Sequence, residues 1–271
     1  QDTYLQEIMR KLFGSIFNEC RREILSGLPS RRVGVNPKGD VTKYFDSRIN
    51  GLIIGKLRKK TPVNLRIVSE ELSENPLITV RKCAPYYSII IDPVDGSDNY
   101  MAKTPFVAMA LAVFDDKLRP VCSFAGNYYT SDTMYADTKA VYFNGNRIKR
   151  PFRKPAKDLL LLSVSDTRPK YPKKFISVIN EFDIVRSFGA TAGEMLYVVK
   201  GEASAFVDMR GKLTLENFAP FFLAAKHLGL ELTDEKGRAI ELRSLSLTKG
   251  YKLVFAAPAA LKKITRHSAR L

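Results

Sequence analysis

The stretch YYSIIIDPVDGSDNYMAK, residues 86–103, constrains the fold of this chain more than any other segment. Five of its first six residues are aromatic or β-branched, and the run SIII is apolar enough to predict a strand buried on both faces. Pro93 cannot continue a hydrogen-bonded ladder, so we expect the strand to end there. The residues Asp95 and Gly96 then predict a tight turn, and GSDNYMAK predicts a helix with Ser97 near its N-cap.

Two carboxylates, those of Asp92 and Asp95, are therefore expected to converge at the end of a buried strand. Buried like charges are costly unless a cation lies between them. The N–H groups of Gly96 and Ser97 would face an anion at the start of the following helix. Cation ligands beside an anion cradle suit metal-assisted phosphoryl chemistry. Taken alone, DPVDGS fits an ordinary surface turn equally well.

Two further acidic segments follow the same pattern. IVSEEL places Glu70 and Glu71 after an apolar strand, although acids there also suit the first turn of a helix. PKGDVTKYFD supplies Asp40 and Asp46 in a loop that leads into an amphipathic helix. Each segment alone is ambiguous, but three acid-bearing segments at the ends of elements indicate one shared site.

Composition limits what such a site can hold. The 271 residues are 45% hydrophobic, enough for one large domain or two closely joined lobes. Three scattered cysteines argue against a zinc site or a disulfide framework and suit a reducing cytoplasm. With two histidines, a metal must be held mostly by carboxylates, which favour Mg²⁺, Mn²⁺ or Ca²⁺. No apolar run reaches the ~18 residues that span a membrane, and the first residues do not resemble a signal peptide.

The formal net charge is +16, from 44 Lys and Arg residues and 28 Asp and Glu residues. A charge of this size permits nucleic-acid binding. The cations are spread along the chain, however, and no helix-turn-helix, zinc-finger or RNA-binding signature accompanies them. We therefore predict a basic surface that attracts anionic ligands in general. Nucleic acid is a disfavoured partner that the charge does not exclude.

The pattern of elements changes at residues 150–157, where Pro and Lys residues predict a lobe boundary. Before it, helices are predicted over 3–28 and 43–60, together with two buried strands and an antiparallel meander. Beyond it, predicted strands (158–165, 183–187, 203–208, 229–233 and 252–256) alternate with predicted helices (171–182, 190–200 and 216–228). The prediction is an α+β lobe over 1–150 and an α/β lobe over 151–271, packed as a single compact unit.

These motifs resemble those of the inositol monophosphatase family, within the superfamily that includes fructose-1,6-bisphosphatase. DPVDGSDN is similar to the family's D-P-[IL]-D-G-[TS]-x-N, and VSEE to its G-E-E segment, with Ser69 in place of Gly. KGDVTKYFD resembles its G-D-x-V-T-x-x-D element, with Asp46 as the final Asp. RSFGATAGEMLYVVKGEASAFVD and KLTLENFAPFFLAAKHLG resemble its later motifs. The resemblance covers essentially residues 5–257 and is strongest to archaeal members that hydrolyse both inositol monophosphate and fructose 1,6-bisphosphate.

The resemblance implies a layered α-β-α-β-α sandwich, the sugar-phosphatase fold, and a Mg²⁺-dependent phosphomonoester hydrolase that uses a metal-activated water. Mn²⁺ is an alternative metal, and sensitivity to lithium is expected. The resemblance also implies a cytoplasmic homodimer acting on a small phosphorylated sugar or cyclitol. The implied roles are metal ligation (Glu70, Asp92, Asp95 and the carbonyl of Val94), catalysis (Asp46, Ser97 and Glu70), phosphate binding (Gly96 and Ser97) and substrate contact (Gly189, Ala190, Thr191, Glu194 and Asp208).

One position departs from the family's pattern. Its last motif brings another metal-ligating Asp, and the gap-free alignment places Asn217 there, which keeps an oxygen ligand but loses a full charge. A second metal would then bind more weakly, or the enzyme would be impaired or specialised. An alignment shifted by one residue would place Glu216 at this position instead, but its side chain would point ~100° away around the helix. Pro220 further predicts that this helix begins later than in relatives.

Two other functions stay open at this point. One is a phosphatase of 3′-phosphoadenosine phosphates, which shares the metal motif. The other is a catalytically impaired relative that binds nucleic acid, suggested by the charge and by Asn217. Basic residues near the last motifs could meet a second phosphate or be solvated surface charge (Lys200, Arg210 and Lys212).

Overall fold

The computed structural model describes residues 2–36, 39, 41–72, 77–79, 84–153, 157–164 and 175–268. The helices are α1 (Asp2–Leu25), α2 (Tyr44–Lys60), α3 (Ser97–Met101), α4 (Phe175–Ile179), α5 (Thr191–Lys200), α6 (Leu215–Phe218), α7 (Phe221–Leu228) and α8 (Pro258–Ser268). The strands are β1 (Arg32–Val35), β2 (Val41–Lys43), β3 (Asn64–Ser69), β4 (Leu77–Ile78), β5 (Tyr86–Asp95), β6 (Ala108–Phe114), β7 (Pro120–Asn127), β8 (Thr133–Asp137), β9 (Val141–Phe143), β10 (Asn146–Ile148), β11 (Leu159–Leu162), β12 (Ile184–Arg186), β13 (Ala205–Leu213), β14 (Glu231–Thr233) and β15 (Tyr251–Ala256). Asp40, Cys83 and residues 171–174 of a predicted helix lie outside the described residues.

The described elements stack in five layers. Helices α1 and α2 cover one face of a sheet with strand order β10-β9-β8-β7-β6-β5-β3-β4, in which only the β3–β5 pair among the described strands is parallel. Helices α5, α6 and α7 lie between the other face of this sheet and a second sheet, β12-β11-β13-β15-β14. Helices α4 and α8 cover the far face of the second sheet. This α-β-α-β-α order confirms the predicted fold class.

The alternation of side chains along β6 explains why helices pack on both faces of the first sheet. Successive side chains of a strand point to opposite faces. Met109 and Leu111 pack with α1 and α2, whereas Ala110 and Ala112 join the core around α5, α6 and α7. All seven residues of β6 are buried, as expected for a strand that is apolar at every position.

The prediction that the central strand ends at Pro93 is wrong, because β5 continues through Pro93 to Asp95. The pairing between β5 and β6 shifts its register between Asp92 and Asp95, which is the mark of a bulge. A residue in a bulge needs no ladder hydrogen bond, so the missing N–H of Pro93 costs nothing there. The bulge keeps both aspartates on one strand and ahead of the turn at Gly96.

The predicted helix over 216–228 is divided into α6 and α7 at Pro220. Pro220 precedes α7 as its N-cap, and its carbonyl accepts a 2.7 Å hydrogen bond from the Ser123 hydroxyl. The main helix thus begins at Phe221, as Pro220 predicts, but a separate turn precedes it. Helix α8 was not predicted, although Ala260 and Ile264, four residues apart, are buried in its core-facing stripe.

The predicted lobe boundary falls between the last strand of the first large sheet and the earliest strand of the second. Strand β10 ends at Ile148 and β11 begins at Leu159. The core around α5, α6 and α7 takes residues from both sheets, so the division into two lobes stays a prediction. None of the described helices has the length and apolar character needed to cross a membrane.

The contact between β7 and α1 gives a test of this packing. A Cβ added to Gly126 would lie 2.5 Å from Cε2 of Phe17. We expect Gly126→Ala to lower the free energy of unfolding by about 1–3 kcal/mol, because the core there is overpacked. Gly51→Ala is the matched control, since Gly51 is exposed inside α2 with nothing within 4 Å of its added Cβ, and it should be stabilising by about 0.5–1 kcal/mol. Urea denaturation measures both, and an unchanged stability of Gly126→Ala would contradict the contact.

Candidate active site

A cavity of about 590 Å³ lies where the ends of β3 and β5 meet the start of α5, the strand β13 and the short helix α6. Because β3 and β5 are parallel and adjacent, their carboxyl ends lie at the same edge of the sheet. Many of the predicted site residues line this cavity: Asp46, Glu70, Asp92, Val94, Asp95, Gly96, Ser97, Gly189, Thr191 and Asn217. Segments distant in sequence thus meet at one site.

Asp46 and Ser97 form a hydrogen-bonded pair at the cavity wall. Asp46 lies in the first turn of α2, where its Oδ2 accepts a 3.1 Å bond from the N–H of Lys43. Its Oδ1 accepts a 2.9 Å bond from the Ser97 hydroxyl, which also lies 3.0 Å from the Val94 carbonyl. Burial raises the pKa of Asp46 to about 7, against the effect of these bonds. Such a carboxyl can accept and release a proton near neutral pH.

Asp92 is held by two N–H donors. Its Oδ1 accepts a 3.2 Å bond from the N–H of Val94, and its Oδ2 accepts a 2.8 Å bond from Nδ2 of Asn217. The side chain of Asp92 is 1% exposed, so these bonds offset part of the cost of burying its charge. Asn217 therefore contacts the carboxylate of Asp92 through its amide nitrogen.

Asp95 connects β5 to helix α5. Its Oδ1 and Oδ2 accept hydrogen bonds from the backbone N–H groups of Thr191 at 3.1 Å and Ala192 at 2.6 Å. The carboxylate therefore caps the N-terminus of the helix, where negative charge is favoured. Burial raises the pKa of Asp95 to about 7 despite these bonds. Since Thr191 also lines the cavity, this cap fixes the distance between the carboxylates and the opposite wall.

Asn99 and Gly96 bring the turn after β5 against the loop before α5. The Asn99 amide donates to the carbonyls of Phe106 at 2.8 Å and Phe188 at 2.6 Å. Gly96 has a φ of +92°, and a Cβ there would lie 2.9 Å from the Cβ of Ala190, so another residue would be both strained and crowded. Asn99, the last residue of DPVDGSDN, is thus a functional position for which no role was predicted.

Tyr128 supports the bulge of β5 that precedes this turn. Its hydroxyl donates a 2.7 Å hydrogen bond to the Pro93 carbonyl, and its ring stacks on Phe17 with centroids 5.5 Å apart. Tyr128 is fully buried. Nothing in the sequence around it forms a motif with residues 92–97, so sequence reasoning had no signal by which to find it.

Several predicted substrate contacts lie behind the cavity rather than in its lining. Ala190 and Glu194 are 1% exposed, and the Glu194 carboxylate accepts a hydrogen bond from the N–H of Phe188. Asp208 is fully buried and holds Arg210 with a 2.6 Å ion pair. The structure thus places these residues as supports of the walls.

The basic residues near the later motifs divide into two groups. Arg210 and Lys212 line the cavity, and so does Lys43, to which the sequence analysis gave no role. Lys200 does not line it and instead forms ion pairs with Asp132 at 2.9 Å and Glu202 at 2.8 Å. The cavity therefore has carboxylates on one side and cations at its rim.

The donor set of the cavity suits a hard divalent cation, because it consists of carboxylate, carbonyl and amide oxygens. Six acidic residues line it: Asp46, Glu70, Glu71, Asp92, Asp95 and Asp98. Within the described residues, however, no three Asp, Glu, His or Cys side chains are arranged to hold an ion as they stand. The carboxylate oxygens of Asp92 and Asp95 accept N–H bonds instead. The residues fit a metal that replaces some of these bonds.

Known proteins resemble this chain over almost its whole length. The sequence model of the inositol monophosphatase family matches residues 5–250.

This chain belongs to the inositol monophosphatase family. It is 30% identical to a fructose-1,6-bisphosphatase/inositol-1-monophosphatase of Methanocaldococcus jannaschii, over 89% of this chain and 92% of that protein. A solved structure of an inositol monophosphatase–fructose 1,6-bisphosphatase superimposes with a TM-score of 0.80 at 27% identity, covering 95% of this chain and 98% of that one. An IMPase/NADP phosphatase solved with Mg²⁺ and phosphate has the same fold, with a TM-score of 0.76 at 18% identity, covering 97% and 95%.

Membership of this family settles two expectations. The resemblance read from the motifs is confirmed, and so is the expectation that the chain is a phosphatase. The roles of individual residues stay predictions, which the contacts above support to different degrees.

The buried Glu194 gives a prediction about pH. Burial raises its pKa from 4.5 to about 8, so between these values the folded protein holds a proton that the unfolded chain has released. Stability should therefore fall as the pH rises through this window and level off above it. Glu194→Gln removes the titrating proton and keeps an oxygen to accept the Phe188 N–H, so its stability should depend less on pH.

Thermal unfolding at about pH 5 and about pH 8.5 tests this prediction. The free energy of unfolding should fall more between these two pH values in the wild type than in Glu194→Gln, by at least the ~1.4 kcal/mol that corresponds to one pKa unit. Asp46 and Asp95, whose pKa values are raised to about 7, leave part of the slope in the variant. The exposed Glu241→Gln is the control and should keep the wild-type profile. Identical profiles for all three proteins would contradict the prediction.

Proposed function

We propose that this phosphatase is Mg²⁺-dependent and hydrolyses phosphomonoesters of small sugars or cyclitols, with inositol monophosphate and fructose 1,6-bisphosphate as the substrates to test first. The observation that carries the proposal is the Ser97–Asp46 hydrogen bond beside the buried carboxylates of β5. A hydroxyl that donates to a carboxyl of pKa about 7 is suited to orient a water and pass on its proton.

The metal would be held by Glu70, Asp92, Asp95 and the carbonyl of Val94, with the amide oxygen of Asn217 as a further donor. When bound, Mg²⁺ lowers the pKa of a coordinated water and offsets the charge on the phosphate. Ca²⁺ and Mn²⁺ suit the same oxygen donors, and sensitivity to lithium is part of the proposal by family resemblance.

Residues of the chain would orient the water, accept its proton, and bind the phosphate and the rest of the substrate. Ser97 orients the attacking water through its hydroxyl, and Asp46 accepts the proton through Ser97. The N–H groups of Gly96 and Ser97 bind phosphate oxygens. Thr191 and Gly189 contact the sugar or cyclitol on the opposite wall, which the cap at Asp95 holds in place.

The cations at the rim favour a substrate with a second anionic group. Lys43, Arg210 and Lys212 all line the cavity, and the Arg210 guanidinium is held in a fixed orientation by the carboxylate of Asp208. A positive rim attracts anions and fixes where they bind. This arrangement favours fructose 1,6-bisphosphate over inositol monophosphate.

An NADP phosphatase is a second candidate, because a protein of that description shares the fold and NADP also carries more than one phosphate. Phosphate release from inositol 1-phosphate, fructose 1,6-bisphosphate, NADP and adenosine 3′,5′-bisphosphate, each with and without Mg²⁺, separates these functions. Fastest turnover of the adenosine bisphosphate would favour the 3′-phosphoadenosine alternative instead.

Ser97→Ala and Asp46→Asn test the proton path. Each is expected to lower kcat by about 10²–10⁴, the usual contribution of general acid–base catalysis, while KM changes less. Ser15→Ala on the exposed face of α1 is the control and should leave kcat unchanged. Wild-type turnover in both site variants, with folding confirmed by circular dichroism, would refute the assignment.

Asn217→Asp tests how the amide shapes the metal site. The variant loses the 2.8 Å N–H bond to Asp92 and places a second carboxylate beside it, so it should be less stable without metal. Added Mg²⁺ should raise its Tm more than that of the wild type, since the ion offsets the added repulsion. The exposed Asn18→Asp carries the same charge change and is the control. Equal Mg²⁺-induced shifts of Tm in Asn217→Asp and wild type would show that position 217 does not act on the bound ion. Phosphate release measures the effect of the substitution on turnover separately.

A further inference from the structure

A strongly basic surface lies outside the catalytic cavity, on the β9–β10 hairpin and the chain that follows it. The segment NGNRIKRPFR, residues 144–153, contains four Lys and Arg residues and no acid. Strand β10 is the edge strand of the first sheet, and the side chains of Arg147, Lys149 and Arg150 are exposed there. None of these residues lines the catalytic cavity.

This segment forms a groove that contains an exposed aromatic ring. The groove has a volume of about 640 Å³ and is lined by residues 147–153. Phe152 is 49% exposed, although its ring packs on one side against Phe143, with centroids 5.3 Å apart. The backbone N–H groups of Phe152 and Arg153 both donate to the Lys200 carbonyl. The ring is therefore held in place on its inner side while its outer side stays accessible.

A second basic groove lies on the α1 side of the same hairpin, whereas Phe152 packs against Phe143 on the other side of the sheet. It has a volume of about 750 Å³ and is lined by Arg10, Lys11 and Arg22 of α1 together with Gly145, which is two residues from Arg147. The α1 cations extend over about 18 Å of helix. Two acids of α1 near this groove are each paired with a lysine: Glu7 lies 3.3 Å from Lys11, and Glu19 forms an ion pair with Lys56. Folding therefore places the α1 cations and the hairpin cations around the β10 edge of the first sheet, and together they form a basic face.

We propose that this face binds single-stranded nucleic acid. Lys and Arg side chains along a groove bind the phosphates of a nucleic-acid backbone. An exposed aromatic ring near them stacks with an unpaired base. The ring distinguishes this ligand from a duplex, whose bases are already stacked within the helix. It also distinguishes the site from a general polyanion surface, which needs only charge.

The binding assay uses the full chain and a fluorescein-labelled single-stranded RNA of about 12 nucleotides, within the usual site sizes for such grooves. Anisotropy measured over a series of salt concentrations gives the dependence of log K on log[salt]. Five phosphate contacts, from Arg10, Arg22, Arg147, Lys149 and Arg150, correspond to a slope of about −3.5 for a single strand. The double variant Arg147→Gln/Arg150→Gln should reduce the magnitude of this slope by about 1.4.

The control for charge is Lys236→Gln/Arg243→Gln, which removes two exposed cations from loops near the second sheet. It lowers the net charge equally but should leave the slope unchanged. Phe152→Leu keeps an apolar side chain on Phe143 but removes the stacking surface. It should weaken binding roughly 5- to 150-fold, the range for stacking of one base, with no change of slope. Phosphatase activity should be unaffected in every variant, because none touches the cavity.

Several results would overturn the proposal. The absence of binding at low salt would do so directly. Equal losses in the two double variants would mean that only the net charge matters. Unchanged affinity of Phe152→Leu, or equal affinity for a duplex, for vesicles of anionic lipid or for a polyglutamate peptide, would assign the face to polyanions in general, to membranes or to acidic proteins instead.

Discussion

The cap that Asp95 forms on helix α5 is the interaction on which the rest of the site depends. One carboxylate at the end of β5 accepts the N–H groups of Thr191 and Ala192. Because α5 lies between the two large sheets, this contact aligns the acidic edge of the first sheet with the wall that the second sheet supports. The Asn99 amide and the close approach of Gly96 to Ala190 reinforce the same junction. The cavity is therefore a consequence of how two layers are joined, and its residues come from both.

Burial sets the electrostatics of this junction. Asp46, Asp95 and Glu194 all have raised pKa values, and in each the removal of the carboxyl from water is the main cause. The N–H groups around these residues oppose the shift without cancelling it. Asp92 is also buried, and it accepts an N–H bond from Asn217 of a third segment. The amide at position 217 therefore acts on this site as a donor to Asp92, whereas the alignment had suggested only that an oxygen ligand remains.

Local sequence patterns predicted most of the elements and their order. The apolar runs of β5 and β6 fix strands buried on both faces, and the motifs DPVDGSDN, VSEE and KGDVTKYFD indicate residues that do line one cavity. The patterns failed where tertiary contacts decide. Pro93 lies within a strand because a bulge releases it from pairing, and α8 forms because Ala260 and Ile264 find a sheet to cover. Tyr128 and the N–H bond from Asn217 could not be found at all, since each acts on a residue of β5 more than thirty positions away.

The stack of Phe17 on Tyr128 and the hydrogen bond from Tyr128 to Pro93 have a consequence for heat inactivation. They join α1, the first helix of the chain, to the bulge of β5 that lies between Asp92 and Asp95. If α1 detaches, Tyr128 loses its packing partner and the Pro93 carbonyl loses its donor, although the side chains that line the cavity are still present. Detachment of α1 on heating would therefore loosen this end of β5 while the sheets remain folded.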